Sequence, residues 1–514
     1  DDVGYVAELQ LVGVGRTATA QAVINTGHIS EIFLNNDGSG FSSAPLVSIS
    51  TSPSGLSGST ATAVAFTTSR ANITSVEKIL ITNAGYGYTE PPTITFTGGG
   101  GTGAAATCSI NTSSNGIVRF NITENGVGFG TAPIVNIPIP NAGVASDAKI
   151  LKGHRIDKVE FLSAKYHYPR FVGRNSQLKP NGQHKKDSCV RLYTDQGAVG
   201  WGRTRAGREQ NKIEESLIGK TVDQLIVPSI GTRAGVHPAV DLALHDLAGV
   251  ILKKPVYQML GAKGSKATDL YSGMIYFDEL DDEGKSVGID KVIQNCQWDY
   301  DYGYRKVKVK IGRSSRWYPH DKGLAKDIEV VNKIHETFGK KGLGILVDAN
   351  DGYSLQDTID FFEGVNEVPI YWFEEPFRED AQTSRKLKQW MLKNGREKTF
   401  YTDGEKDPDL ELVRELIADG TLDMHLVDIQ GYGFTKWRRM IPFLKKHKAM
   451  ASPHTWGSML KTHYVSHLAA GLESTAIIEG VTCLSDDIDY GDYKIIDGKL
   501  NVSDAPGFGM KLMI

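Results

Sequence analysis

The stretch RKVKVKIG, residues 305–312, sets Lys306, Lys308 and Lys310 at alternate positions with Val307, Val309 and Ile311 between them. Side chains two apart on a strand share a face. The stretch therefore reads as a strand with one apolar side and a row of ammonium groups on the other. Like charges repel, so such a row needs partners.

Similar apolar runs recur downstream, and each ends on an ionisable residue. They are Lys310 in KVKVKIG, Asp348 in GILVDAN, Glu374 in IYWFEEP, Glu405 in FYTDGE, Asp428 in MHLVDIQGYG, His454 in KAMASPHTWGS and Glu479 in AIIEG. Successive members lie 38, 26, 31, 23, 26 and 25 residues apart. One strand, one helix and two loops need about that length, and strands alternating with helices signal a parallel sheet with helical crossovers. In a closed α/β barrel the C-terminal strand ends converge on one mouth. Any single one of these residues reads equally well as a cap or a surface charge; seven in phase do not.

The chain has 514 residues, too many for one ordinary domain. Its formal charge of −3 gives no basic footprint for nucleic acid, and no apolar run reaches bilayer length. Asp1 rather than Met opens the chain, consistent with a start that is missing or processed. Cys108, Cys189, Cys296 and Cys483 lie far apart without metal-ligand spacing and read as free thiols.

Composition breaks near residue 150. Residues 1–140 hold only twelve Asp, Glu, Lys and Arg, and are rich in Gly, Ser, Thr, Ala and Val. NNDGSGFSSAPLVSI (35–49), TNAGYGYTEPPTITF (82–96) and TENGVGFGTAPIVNI (123–137) share one plan: a turn, Gly-x-Gly-aromatic, a Pro, then alternating apolar residues. This predicts three stacked β-repeats. The pattern resembles the Gly-x-Gly-Tyr repeats of phage tail-fibre and related appendage proteins, which implies a spacer, an oligomerisation module or a module that binds a surface or partner. That resemblance keeps a virion-associated location open beside a cytoplasmic one.

From about residue 155 the rhythm changes. VEFLSAKY, CVRLYTD and VGWGRT read as three antiparallel strands, and HPAVDLALHDLAGVILKKPVYQMLG (237–261) as helix with Ala239, Leu242, Ala243, Asp246 and Leu247 on one face. Pro255 suits the first turn of a further short helix.

Residues from about 155 to the end resemble the enolase superfamily, in its mandelate-racemase-like subgroup. The resemblance rests on K-x-K (Lys308, Lys310), VDAN, EEP, GE, the Asp at 428, the His at 454, and an A-x-D-x-A-x-x-D-x-x-G helix. One departure is local: DIQGYGFTKW keeps Gly433 but has Phe434 where the family often has a second Gly. The implied fold is multidomain: an all-β repeat module (1–150), an α+β capping domain (151–275, with the tail 485–514 returning to it) and a (β/α)7β TIM-like barrel (276–484). Members commonly form symmetric homo-oligomers.

The resemblance also implies roles. Asp348, Glu374 and Glu405 form the metal set. Carboxylates packed together repel, and an all-oxygen set favours Mg2+. Lys310 is the base that removes a proton next to a substrate carboxylate, with its pKa lowered by the like charge of Lys308. His454 acts from the opposite side, its ring oriented by Asp428. Glu479 contacts the substrate as a hydrogen-bond donor if protonated.

The implied activity is acid-sugar dehydration to a 2-keto-3-deoxy acid. A racemase or epimerase on the same site, or an attachment protein with an inactive barrel, are the alternatives. The loop SAKYHYPRFVGRNSQLKPNG (163–182), with Lys165, Tyr166, Tyr168, Arg170 and Arg174, and GRTRAG, with Arg203 and Arg205, supply candidate substrate contacts together with Asn350.

Overall fold

The computed structural model describes residues 142–365, 367–405 and 407–514, with side chains from 147 onward, and before them the backbone of nine strands between Val6 and Asn136. The chain forms two compact units, Asp1–Gly153 and His154–Ile514.

In the first unit Val6–Leu11, Arg16–Asn25 and His28–Ser39 pair in antiparallel order. Thr62–Arg70 pairs with Ile73–Asn83, Thr102–Asn111 with Gly116–Val127, and Thr95–Thr97 with Ile134–Asn136. A helix, Ala142–Lys152, follows. The Gly-x-Gly-aromatic turns and their prolines lie wholly or partly outside the described residues, so the repeat plan itself is not described.

The second unit opens with three antiparallel strands, β1 (Ile156–Val172), β2 (Gly182–Thr194) and β3 (Val199–Arg203). Much of the stretch read as a loop from 163 is strand: Ala164, Tyr166 and Tyr168 are buried while Ser163 and Lys165 are exposed, an alternation that keeps β1 going. Only 173–181 connects β1 to β2. Helix α1 (Gln210–Leu217) and helix α2 (Asp241–Leu252) complete the cap.

Helix α2 explains its own sequence. Asp246 accepts the backbone N–H of Trp201 on β3 (2.9 Å) and of Phe508 in the C-terminal tail (2.8 Å). Burial pushes its carboxyl up to about 7. Asp241 accepts both the N–H (2.8 Å) and the hydroxyl (2.6 Å) of Thr435. Gly249 lets the tail in: a Cβ there would lie 2.6 Å from the Gly507 Cα. The tail goes further into the cap, with Trp201 Nε1 donating to the Met510 carbonyl (3.1 Å) and Arg191 to that of Leu512 (2.9 Å).

The barrel has eight parallel strands. They are β4 (Ala267–Ile275), β5 (Lys306–Lys310), β6 (Gly344–Asp348), β7 (Ile370–Glu374), β8 (Phe400–Asp403), β9 (Met424–His425), β10 (Met450–Ala451) and β11 (Ile478–Gly480). Strand β11 pairs with β4, and a bridge between Ala451 and Thr475 closes the ring. Seven major helices fill the crossovers: α3 (Asp290–Tyr302), α4 (His320–Phe338), α5 (Leu355–Gly364), α6 (Ala381–Lys393), α7 (Leu410–Ala418), α8 (Phe434–Lys446) and α9 (Met459–Gly471). The barrel therefore starts at 267, not 276. Its first stave lies in sequence assigned to the cap, because YSGMI carries no charged terminal residue.

Tyr271, Leu346, Trp372, Met424, Leu426 and Ile477 form a core cluster between the staves. Cys189, Cys296 and Cys483 are buried free thiols. Among the described residues no helix is long and apolar enough to cross a membrane.

Gly249→Ala tests the contact between α2 and the tail. Helix propensity favours Ala by about 0.5–1 kcal/mol, whereas overpacking costs about 1–3 kcal/mol. The expected outcome is net destabilisation in urea unfolding of the full chain.

Candidate active site

Strand register brings the ionisable residues level. Lys310 lies opposite Asp348 across β5 and β6, and Asp348 lies opposite Glu374 across β6 and β7. Glu405 follows β8 through Gly404, whose φ of +99° turns the chain inward. Asp348, Glu374 and Glu405 each present an oxygen, and these lie within 4.8 Å of one another.

The triad fits a divalent cation on the structure's own terms. Glu374 Oε2 and Glu405 Oε2 are buried without a hydrogen-bond partner among the described residues. Burial and the nearby Asp348 charge push the Glu374 carboxyl well above its ordinary range. Such a donor set, all oxygen and mutually repulsive, is relieved by a hard cation. Glu375, next along the chain, is buried at φ +39° and accepts the Glu405 N–H (2.9 Å). It holds the β8 turn instead of joining the set.

The alternating lysines of β5 divide. Lys306, near the strand start, pairs with Asp269 (2.7 Å). Lys308 is buried among Glu374 (2.9 Å), Glu479 (3.1 Å) and Asp348 (3.3 Å). Lys310 is 2% exposed and contacts Asp348. The sequence reading lowered the Lys310 pKa through Lys308, but the structure reverses the sign. Burial, the largest influence, and Lys308 lower it, but Asp348, Glu405 and Glu374 together outweigh them, leaving Lys310 above its ordinary value.

His454 reaches the triad from the other end. Its Nε2 lies 3.1 Å from Glu405 Oε1, and its Nδ1 lies 3.1 Å from Asp428 Oδ2. Asp428 follows β9 and caps a short helix, Ile429–Tyr432, by accepting the N–H groups of Gln430 (3.0 Å) and Gly431 (2.6 Å). Burial raises its carboxyl, but Lys461 and His454 hold it well below the usual range. Gly433 keeps φ +109° before α8, so the departure at Phe434 leaves the turn intact; Phe434 packs on His245 and Phe508.

Glu479 corrects another expectation. It accepts the Thr455 N–H (2.8 Å) and faces Lys308. Burial works against ionisation, yet Lys308, His454 and that N–H bring its carboxyl down to about 2. It is a carboxylate acceptor here, not a donor.

Most proposed substrate contacts are engaged elsewhere. Arg170 makes a two-pronged pair with Asp299 (2.7 and 2.8 Å). Arg174 donates to the carbonyls of Asp281 (2.7 Å) and Asp282 (2.9 Å) and lies over Trp317. Arg203 bridges Asp187 and Gln430. Tyr166 donates to the Gly457 carbonyl. Asn350 pairs with Asn175 (2.8 Å) and its N–H meets Asp348 (2.9 Å), which positions that ligand. Arg205 is exposed, 3.6 Å from Asp428.

Two residues beside the site escaped sequence reading. Tyr276 follows β4 and sits with its ring 5.5 Å from the Lys310 ammonium; the strand-end rule finds it once β4 is recognised as a stave. Lys461, in the first turn of α9, contacts Asp428. A lysine in a helix that contains no acid was its only sequence signal. A cavity of about 320 Å3 lined by Leu270, Tyr304, His463, Thr482, Tyr493 and Ile495 contains none of the site residues.

Two outcomes follow from this geometry. Mg2+ binding measured calorimetrically weakens as pH falls and is accompanied by proton release, because the raised Glu374 carboxyl must ionise; Glu374→Gln removes both effects. Arg170→Met leaves buried Asp299 without its cation and destabilises the fold by about 3–5 kcal/mol in denaturant titration.

Residues 291–513 match the enolase C-terminal domain-like family model. The arabinonate dehydratase of Saccharolobus solfataricus is 27% identical over 58% of this chain and 76% of its own length. The D-xylonate dehydratase of Haloferax volcanii is 21% identical over 63% of this chain and 82% of its own. A Geobacillus galacturonate dehydratase, solved with D-galacturonate and 5-keto-4-deoxy-D-galacturonate, superposes with TM-score 0.65 at 26% identity over 70% of this chain and 95% of that one. Its E234A mutant was solved with Mg, with the same TM-score and identity over 70% and 94%. The barrel and the triad thus lie in the region that matches the enolase C-terminal domain-like model, and His154–Ile514 is similar to the mandelate racemase-like structures.

Proposed function

We propose that this protein is a Mg2+-dependent acid-sugar dehydratase. The observation that carries the reading is the placement of Lys310 and His454 at opposite ends of one carboxylate triad, on Asp348 and on Glu405. An amine and an imidazole so placed can act on two faces of one substrate.

Asp348, Glu374 and Glu405 would hold Mg2+, which would supply positive charge where negative charge grows on the substrate carboxylate. An Asp348 that held a cation would hold Lys310 less strongly, and the Lys308 charge favours the neutral amine. Lys310 Nζ then takes the proton from the carbon next to the carboxylate. His454 Nε2 gives its proton to the hydroxyl on the next carbon as the C–O bond breaks, so water leaves. The resulting enol becomes a 2-keto-3-deoxy acid. Asp428, at Nδ1, holds the ring for that transfer. Glu479 and Lys308 keep each other ionised beside the base.

Acid-sugar relatives and the galacturonate dehydratase support this substrate class. The front unit is read as a β-repeat spacer, a reading supported by its separation as a compact unit with antiparallel strand pairs.

A panel of acid sugars assayed for 2-keto-acid formation tests the proposal. Turnover is expected with Mg2+ and lost with EDTA. Lys310→Met and His454→Asn each cut kcat by about 10²–10⁴-fold, with His454→Asn retaining exchange of the α-hydrogen in deuterated water. Exchange without elimination in the wild type identifies a racemase or epimerase; neither metal binding nor turnover identifies an inactive barrel.

A further inference from the structure

Lys461 is a buried cation in an unusual place. Helix α9 is buried from Leu460 to Gly471, and Lys461 is 3% exposed. Its ammonium is directed to Asp428 Oδ2, the same oxygen that lies 3.1 Å from His454 Nδ1. The other oxygen, Oδ1, accepts the Gln430 and Gly431 N–H groups. Both carboxylate oxygens are therefore used, and each has a separate task.

The two backbone donors on Oδ1 and Lys461 on Oδ2 act on the same Cβ–Cγ torsion, which is otherwise broad. The second anchor narrows that torsion from the side that faces the ring. The carboxylate plane decides where the His454 ring points, because Nδ1 follows Oδ2 and Nε2 points the opposite way, toward Glu405. We propose that Lys461 is a positioning residue for the reaction, holding Asp428 Oδ2 so that His454 Nε2 is aimed into the site. This rests on reading His454 as the proton donor.

The anchor is itself built in. Ser458 caps α9 by accepting the Leu460 N–H (3.3 Å), and its hydroxyl donates to Asp187 on β2. Asp187 is buried and also binds Arg203, which reaches across to Gln430 in the short helix capped by Asp428. The first turn of α9 and the Asp428 cap are thus both tied to the capping sheet. Lys461 rises from that fixed turn, in the same buried helix as His463 and His467. A charge-assisted bond from such a base is directional as well as strong.

The test combines kinetics with a measurement that needs no turnover. Lys461→Met is expected to lower kcat for dehydration roughly 10–100-fold, the range seen when a partner of a functional group is lost. KM and α-hydrogen exchange stay as in the wild type, and Lys461→Arg restores part of kcat. In a Asp428→Asn background, Lys461→Met has no further effect, since the lysine acts through that carboxylate.

Independently, the ¹⁵N spectrum of labelled histidine, with His454 assigned through His454→Asn, reports the ring. The wild type shows one ring state with Nδ1 protonated toward Asp428, so that the proton given away is the one on Nε2, and Lys461→Met shows mixed ring states. Lys461→Gln, which keeps a donor without charge, serves as the second variant if Lys461→Met fails to melt cooperatively. An unchanged His454 signal in the folded variant, or a kcat loss that simply adds to that of Asp428→Asn, overturns the proposal. A tautomer shift in a protein that dehydrates no acid sugar supports the positioning role and sinks the dehydratase reading alone.

Discussion

Mutual repulsion among Asp348, Glu374 and Glu405 is the constraint around which the second unit is organised. Three carboxylates at one barrel mouth are costly to bury, and the fold holds them there by strand register. The neighbouring basic groups answer that cost in different ways. Lys308 sits among three acids, Lys310 leans on one, and His454 touches the third from the far side. Asp428 and Lys461 extend the pairing of opposite charges outward.

This crowding of acids and bases makes each pKa a property of the cluster. Glu374 is pushed up and Glu479 down to about 2, although both are buried carboxylates on barrel strands. The difference is their remaining company, since Lys308 lies beside both: Glu374 lies next to Asp348 and Glu405, whereas Glu479 has His454 near and receives a backbone N–H. Local sequence cannot assign those signs. The same limit explains the reversal at Lys310, where a neighbour on the same strand was visible in KVKVK and a stronger one on the next strand was not.

What was legible in the sequence was periodic. Seven apolar runs, each ending on an ionisable group, gave the barrel phase, the triad and the His454–Asp428 pair, because a strand end is a local feature repeated at a regular interval. The Asp and Gly positions of helix α2 were visible too, though their purpose became clear only with Trp201, Phe508 and Gly507 beside them. The arginines were misread for the opposite reason. Arg170 and Arg174 look like free donors in a polar stretch, but their acceptors, Asp299 and the carbonyls at 281 and 282, lie more than a hundred residues away. Tyr276 was hidden by a boundary set too late. Lys461 was hidden by a helix whose apolar pattern made its one cation look incidental.

The tail has a temporal consequence. Residues of the capping sheet and its helix exchange hydrogen bonds or pack with Gly507, Phe508, Met510 and Leu512, a stretch translated after every barrel strand. The capping sheet is translated before the first stave, yet these groups find their partners only after the last stave has been made. Vectorial folding from the amino end is therefore interrupted here: the capping sheet is made early, left unsealed through the whole translation of the barrel, and locked by a segment that follows it.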